Sequence, residues 1–360
     1  MSAILTIDDL TKTFPIAGSR LLVQAINGVS LAIEPGETLG LVGESGSGKT
    51  TVGRCIVGLL EPTAGVIRFR GIDLSERRLH RQRLAGKIQL VFQEPNESLD
   101  PRMRIGDTIA EPLLPLRLDR AARRRRTQDA LHLVRLDPDL ADAYPSELSA
   151  GQQQRVGIAR AMVTEPELVV LDEPTSALDP TARAEIIDLL RRIQAERNTA
   201  YLFISHDLST VRFISHRVAV MYLGMIVEQG DTETVFNRPR HPYASGLLSS
   251  VLLPHPDLSI PSSISLKGEI PSPINLPKGC FLASRCPFVI DRCRSEMPPA
   301  DVVGERHTVH CFRHDDVARS IAPSDTFNVF MREAERILGR ATREAARTTD
   351  PLAPVRKETT

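Results

Sequence analysis

The chain has 360 residues, too many for one minimal domain, and its 41% hydrophobic and 25% charged residues are those of an ordinary globular protein. Lys+Arg and Asp+Glu are both 45, and this net neutrality argues against a general nucleic-acid binder, whose affinity rests on excess positive charge. No apolar stretch approaches the roughly 18 to 20 residues that cross a bilayer, and the opening MSAILTIDDLTK carries acids where the basic part of a signal peptide belongs. The expectation is a cytoplasmic chain whose five cysteines stay mostly reduced.

From Ile4 to about Leu74, short β-type runs alternate with turns: LVQAINGVSLAIEPGE, TLGLVG and GVIRFRGIDL, with Pro35-Gly36 marking one turn. A helix from Lys49 to about Leu60 follows TLGLVG. Joining strand to helix, Gly43-Glu44-Ser45-Gly46-Ser47-Gly48-Lys49-Thr50, followed by Thr51, fits the phosphate-loop pattern G-x-x-x-x-G-K-[ST]. Glycines let the backbone curl so that N–H groups face the β- and γ-phosphates, and the helix N-terminus adds a favourable dipole. Lys49 neutralises phosphate charge and the Thr50 hydroxyl can ligate Mg²⁺.

Residues from about Pro95 to Leu148 change to helix-period apolar spacing with several prolines. Arg117, Arg120 and Arg123 to Arg126 make a basic run there; a solvated helix face is the plain reading, contact with anionic lipid headgroups the sharper one. Parallel-sheet signals return at ELVVLD (167–172) and TAYLFIS (199–205). Between them, Ala182, Ile186, Leu189, Leu190 and Ile193 fall on one helical stripe, with Asp179 as N-cap and Pro180 in the first turn. Strands alternating with helices predict a mostly parallel α/β sheet interrupted by a helical insertion, without internal repeats. After about Asn237 the sequence turns proline-rich and then holds four cysteines. Residues 325–346 predict a charged amphipathic helix, and the last dozen or so a disordered end.

LVVLDE (168–173) ends a buried strand in two acids. Asp172 is placed to hold the Mg²⁺ shell and Glu173 to polarise an attacking water. Alone the run is a weak signal; paired with the phosphate loop it is strong, because ligands of open α/β sheets bind at the carboxyl ends of strands. In LSAGQQQRVGIARAM (148–162), Ser149 and Gln152 read as a capping box opening a helix whose small residues expose N–H groups to an anion.

That last segment, some twenty residues before the second acid motif, resembles the signature sequence of ATP-binding cassette (ABC) ATPases. The resemblance implies a phosphate-loop (RecA-like) α/β nucleotide-binding domain with a helical subdomain and a small cysteine-containing C-terminal extension. It implies the following division: a core of 1–92 and 160–236, a helical signature region of 93–159, a C-terminal region of 237–320 and a tail of 321–360. Phe14 then resembles the aromatic that stacks on adenine, and Gln93 the glutamine that senses Mg²⁺ and the γ-phosphate. Ser176 to Asp179 resemble the D-loop, and His206 the switch histidine. Glu173, His206 and Gln93 become the catalytic set, Thr50, Gln93 and Asp172 the Mg²⁺ set. The family works as a head-to-tail dimer in which Ser149, Ala150, Gly151 and Gln152 of one subunit face the phosphate loop of the other. Here Ala150 stands where the family usually has glycine; its methyl group, where backbone approaches phosphate, is either harmless or slows turnover if Ala150 needs a positive φ.

Further segments (92–113; Arg240-His241-Pro242-Tyr243; GEIPSPINLPKGCFLASRCP) resemble the ATP-binding subunits of dipeptide and oligopeptide importers, over residues 4 to about 315. This implies two membrane-spanning permeases, a second and non-identical ATPase subunit, an extracytoplasmic binding protein and no nucleic acid. It places the chain on the cytoplasmic face of the membrane, with importers of nickel chelates or other small solutes as the alternative and a non-transport ABC protein as a more distant one. The four cysteines run Cys280-x5-Cys286-x6-Cys293-x17-Cys311. Buried free thiols, Zn²⁺ and an iron–sulfur cluster are all compatible with them. The paired C-x2-C of common zinc sites is absent, and Cys286-Pro287 echoes bacterial cluster motifs. Similar importer tails carry a [4Fe-4S] cluster; for zinc, His307, His310 or His314 are replacement ligands.

Overall fold

The computed structural model describes residues 3–76, 84–93, 99–249, 264 and 266–320. The expected helix over 325–346 and the segment that directly follows Gln93 lie outside these residues. The first half carries β1 (Leu5–Pro15), β2 (Leu22–Ile33), β3 (Thr38–Val42), β4 (Ala64–Phe69), β5 (Ile72–Asp73) and β6 (Ile88–Val91). The second carries β7 (Leu168–Asp172), β8 (Ala200–Ser205), β9 (Arg217–Tyr222), β10 (Met225–Asp231), β11 (Asp301–Gly304) and β12 (His307–Val309). Helices through the signature region are α1 (Lys49–Val57), α2 (Ile105–Ala110), α3 (Arg120–Leu133) and α4 (Ala150–Met162). Then come α5 (Pro180–Arg197), α6 (Leu208–Ile214), α7 (Thr232–Asn237), α8 (Pro242–Ser249), α9 (Asp291–Ser295) and α10 (His314–Ser320).

Among the described residues the strands form two sheets. One is antiparallel, in the order β2-β1-β4-β5; the other has the order β11-β12-β10-β9-β3-β8-β7-β6. Its centre, from β9 through β3, β8 and β7 to β6, is parallel. These strands are continuous apolar runs because both faces are covered. Leu39, Leu41, Leu168, Val170, Leu202 and Ile204 point into a core shared with β1, β2 and α1. Alternate residues Val169, Leu171, Tyr201 and Phe203 point into a second core beneath the helices of the insertion and α5. Each such side chain contributes about 1.5–3 kcal/mol by leaving water.

Local signals set the helix ends. The Asp179 carboxylate accepts the Thr181 and Ala182 N–H groups at the start of α5, with Pro180 as its first residue. Ile186, Leu189, Leu190 and Ile193 are buried and Ala182 partly so, as the stripe predicts. Helix α1 stops at Val57, short of the expected Leu60, because Gly58 takes a left-handed conformation (φ 77°) and its N–H caps the last carbonyls. Arg117, Arg120, Arg124 and Arg125 are exposed, while Arg123 and Arg126 are half-buried. The C-terminal segment adds to the larger sheet: β12 pairs with β10, and β11 with β12. Cys280, Phe281 and Cys286 pack against the second core, in which Leu282 is buried.

Candidate nucleotide site

The parallel register brings four strand ends level: Val42 pairs with Ser205, Asp172 with Ile204 and Val91 with Leu171. The residues that follow, Gly43 to Gly48, His206, Glu173 and Gln93, therefore collect at one edge of the sheet. This is where an open α/β sheet binds ligands.

The phosphate loop is held by close backbone approach. A Cβ on Gly43 would lie 2.2 Å from the Met221 carbonyl oxygen, and one on Gly48 2.3 Å from that of Ala25. Gly48 also has φ 105°, so no L side chain is tolerated there. Ser45 and Gly46 are exposed at the loop tip, while Ser47 is buried. Lys49 Nζ donates to the Gly43 and Glu44 carbonyls at 2.8 and 2.9 Å. Burial pulls its pKa down, against the opposing pull of Glu173, Asp172 and Glu44. The Thr50 hydroxyl donates to Asp172 Oδ1 at 3.0 Å, and Thr51 follows half-buried in α1. Burial raises the Asp172 pKa. A hydroxyl and a carboxylate side by side form a hard oxygen pair of the kind Mg²⁺ takes.

Glu173 departs from the regular strand: its φ is 47°, a left-handed value that costs a non-glycine residue on the order of 1–3 kcal/mol. Its N–H donates to the Ile204 carbonyl at 2.9 Å, which ties the turn to the neighbouring strand. Its Oε2 lies 2.9 Å from His206 Nδ1 and accepts from Gln93 Nε2 at 3.3 Å. Glutamate, histidine and glutamine from three strand ends thus meet at one oxygen. Phe14 is half-buried on β1, with Lys12 Nζ 5.0 Å from its ring centre.

The signature residues form a different face. Ser149 Oγ accepts the Gln152 N–H at 3.3 Å and Gln152 Oε1 accepts the Ser149 N–H at 2.9 Å, completing the predicted capping box. Ala150 is the first residue of α4 in helical conformation, which removes the concern about positive φ. An open cleft of about 270 Å³ is lined by Ser149, Ala150, Gly151 and Gln152 on one side and Ala177, Leu178 and Asp179 on the other. No phosphate-loop residue lines it.

All five cysteines are free. Cys280, Cys286, Cys293 and Cys311 lie near enough to one another for electrostatic coupling, and burial raises the pKa of Cys286 to about 11 and of Cys311 to about 12. Three of these sulfurs receive the backbone N–H two residues on: Leu282 for Cys280, Phe288 for Cys286 and Arg313 for Cys311. Such bonds favour the thiolate, the form that ligates a metal. Burial outweighs those bonds and leaves the thiols with raised pKa values, and among the described residues no group of three His, Cys, Asp or Glu side chains is arranged to hold a metal ion. His307 Nε2 is engaged 2.8 Å from Glu228, His310 Nδ1 by the Pro298 carbonyl at 3.1 Å, and His314 faces Asp315.

Two residues at the phosphate loop carry no signal in its motif. The Tyr243 hydroxyl accepts the Glu44 N–H at 2.8 Å, and Arg285 Nη1 lies 3.3 Å from Glu44 Oε2. Tyr243 belongs to the His241-Pro242-Tyr243 segment, which marked a resemblance but gave no role.

A phosphate loop whose lysine, threonine and two strand-end acids converge with a glutamine and a histidine defines a nucleoside-triphosphate hydrolase. Residues 26–176 match the family model for ABC transporters, and residues 227–293 that for the oligopeptide/dipeptide transporter C-terminal region. The chain is 42% identical over 333 residues to a probable peptide ABC transporter ATP-binding protein of Sinorhizobium fredii, covering 89% of this chain and 93% of that one. It is 45% identical over 306 residues to a putative peptide import ATP-binding protein of Brucella abortus (83% and 91%). Among solved structures it resembles the dimeric ATP-binding cassette MJ0796 bound to ADP and Pi, with a TM-score of 0.57, 29% identity and coverage of 63% and 98%. It also resembles cbiO1 of Clostridium perfringens, part of the ABC transporter complex cbiONQ, with a TM-score of 0.58, 30% identity and coverage of 66% and 91%. The chain belongs to the ABC transporter ATPase family, in the branch that carries the oligopeptide/dipeptide transporter C-terminal region.

Proposed function

We propose that this chain is the ATP-hydrolysing subunit that drives peptide import through a membrane-embedded permease pair. The carrying observation is the meeting of Gln93 and His206 on the Glu173 carboxylate beside the Thr50–Asp172 pair. Glu173 polarises the attacking water and His206 holds that carboxylate in place, while Thr50, Asp172 and Gln93 are the residues that would hold Mg²⁺. Lys49 and the loop from Gly43 to Thr51 grip the phosphates, and Phe14 stacks on adenine. The Mg²⁺ supplies charge neutralisation at the β- and γ-phosphates.

Ser149, Ala150, Gly151, Gln152 and Asp179 serve the site of a second, non-identical ATPase subunit in a head-to-tail dimer. The separation of the signature cleft from this chain's own phosphate loop supports that reading. The division into 1–92 with 160–236, 93–159, 237–320 and 321–360 goes with it. Among the described residues no helix is long and apolar enough to cross a membrane. The proposed place, on the likeness to peptide import ATP-binding proteins, is peripheral on the cytoplasmic face, with an extracytoplasmic binding protein delivering peptide. Affinity purification from detergent-solubilised membranes is expected to bring down two permease subunits and a second ATPase. Recovery of this chain alone or with an unrelated soluble partner overturns the importer reading.

For the four cysteines we propose a [4Fe-4S] cluster, with Zn²⁺ as the competing occupant. Their spacing and the shared N–H···S pattern support thiolate ligation, and its role is to staple a loop-rich region. Anaerobically purified protein is expected to carry about four irons and four sulfides per chain. One zinc without iron rejects the cluster and keeps the staple; no metal rejects both.

A further inference from the structure

Among the described residues the C-terminal region reaches the phosphate loop at Glu44, through its backbone N–H and its carboxylate. The peptide between Gly43 and Glu44 has two polar ends, the Gly43 carbonyl and the Glu44 N–H. Lys49 Nζ donates to the first at 2.8 Å, and the second donates to the Tyr243 hydroxyl at 2.8 Å. The side chain of the same Glu44 is held by Arg285 at 3.3 Å, and Arg285 in turn donates to the Tyr222 hydroxyl at 3.4 Å. One residue is therefore fixed by backbone from α8 and by side chain from the cysteine-rich segment.

This clamp is itself rigid. Tyr243 is fully buried, its ring centre 4.5 Å from that of Tyr222. Burial raises its pKa, so the hydroxyl stays neutral at physiological pH. Its backbone N–H donates to His241 Nδ1 at 3.1 Å, and the His241 N–H donates to the carboxylate of Glu228 at 2.8 Å. Glu228 is wholly buried on β10 and is also bonded by the Arg240 N–H and by His307 from β12. A continuous polar chain thus runs from the sheet extension to the phosphate loop.

We propose that Tyr243 and Arg285 are positioning residues for ATP binding. By fixing the 43–44 peptide plane they set the carbonyls that aim Lys49, and they keep the loop in one conformation when nucleotide enters. A loop already ordered loses less entropy on binding, so the C-terminal region sets the affinity of the site without touching substrate. The linkage is reciprocal: nucleotide strengthens the docking of the C-terminal region by the same factor. This rests on the phosphate loop being the ATP site.

The test uses the full chain in a Glu173→Gln background, with MgATP as the probe and a melting curve without nucleotide as the fold control. Tyr243→Phe and Arg285→Gln are each expected to weaken MgATP binding by about three- to tenfold, one hydrogen bond's worth. Arg285→Lys recovers part of the loss. With Glu173 restored, KM rises by the same factor while kcat in the assembled transporter stays within about twofold, because the chemical groups are untouched. A merely structural role moves the melting curve and leaves affinity and KM alone. Wild-type affinity in Arg285→Gln and Tyr243→Phe overturns the proposal. Failure of the parent Glu173→Gln protein to bind MgATP overturns the ATP-site reading instead.

Discussion

The phosphate-loop edge and the signature edge contrast in where their polar groups find partners, across distant strand ends at the first and within one helix turn at the second. At the first, Lys49, Thr50, Glu173, His206 and Gln93 are all bonded within the chain, and even the loop backbone is held from both sides. At the second, the helix N-terminus of α4 opens into an exposed cleft that no phosphate-loop residue lines. In the proposed function the first edge holds the phosphate chain of this chain's own nucleotide, and the second completes the site of another subunit. On that reading each edge is half of a site and the two halves of one chain serve different partners, an arrangement that suits a developing charge on the γ-phosphate, which is stabilised where donors surround it.

The contrast breaks if the largest expected effect is absent. Glu173→Gln is expected to slow ATP hydrolysis by about 100-fold or more while MgATP binding persists, as measured by phosphate release and nucleotide titration. Unchanged turnover removes Glu173 from the mechanism. Lys49→Ala comes next: nucleotide binding should fall by at least tenfold, since a partly desolvated charge is lost from the phosphate cradle.

The polar chain behind the loop gives a pH test. Burial, reinforced by His310, lowers the His241 pKa from 6.5 to about 3. A neutral Nδ1 accepts the Tyr243 N–H, and protonation removes that acceptor. The folded pKa lies below the unfolded one, so this stability is complete above 6.5 and is lost as pH falls toward 3. Chemical denaturation should show a loss of about 1.4 kcal/mol for each pH unit below 6.5, absent in a folded His241→Asn protein.

Ser149→Ala sharpens the comparison at the other edge. It removes half of a capping box, expected to cost about 1 kcal/mol of stability, and it lowers turnover only when both ATPase subunits are assembled. The smallest effect is expected from Ala150→Gly. In helical backbone it costs about 0.5–1 kcal/mol and leaves turnover in the assembled transporter within about twofold; a large gain would show that the methyl group obstructs the site.

Much of the site was legible because its signals are local. The glycines of the phosphate loop, the Ser149–Gln152 box and the Asp179 cap are each fixed by residues within a few positions, so short-range rules find them. Asp172, Glu173 and His206 could be placed at strand ends because parallel strands buried on both faces read as apolar runs. Nothing local distinguishes Tyr243 or Arg285. Arg285 stands 241 positions from Glu44, and no spacing rule links a tyrosine after a His-Pro pair to a loop near the first strands.

The amino-acid sequence by itself determined the α/β alternation, the phosphate loop and the family to which the chain belongs, since these depend on periodicity and on adjacent residues. Only the tertiary structure decided that Ala150 is helical, that Glu173 adopts a left-handed backbone to reach His206 and Gln93, and that the C-terminal region joins the core sheet and clamps Glu44. Those outcomes depend on which distant groups pack together, and burial and hydrogen bonding between such groups are settled only once the two cores close around the sheet.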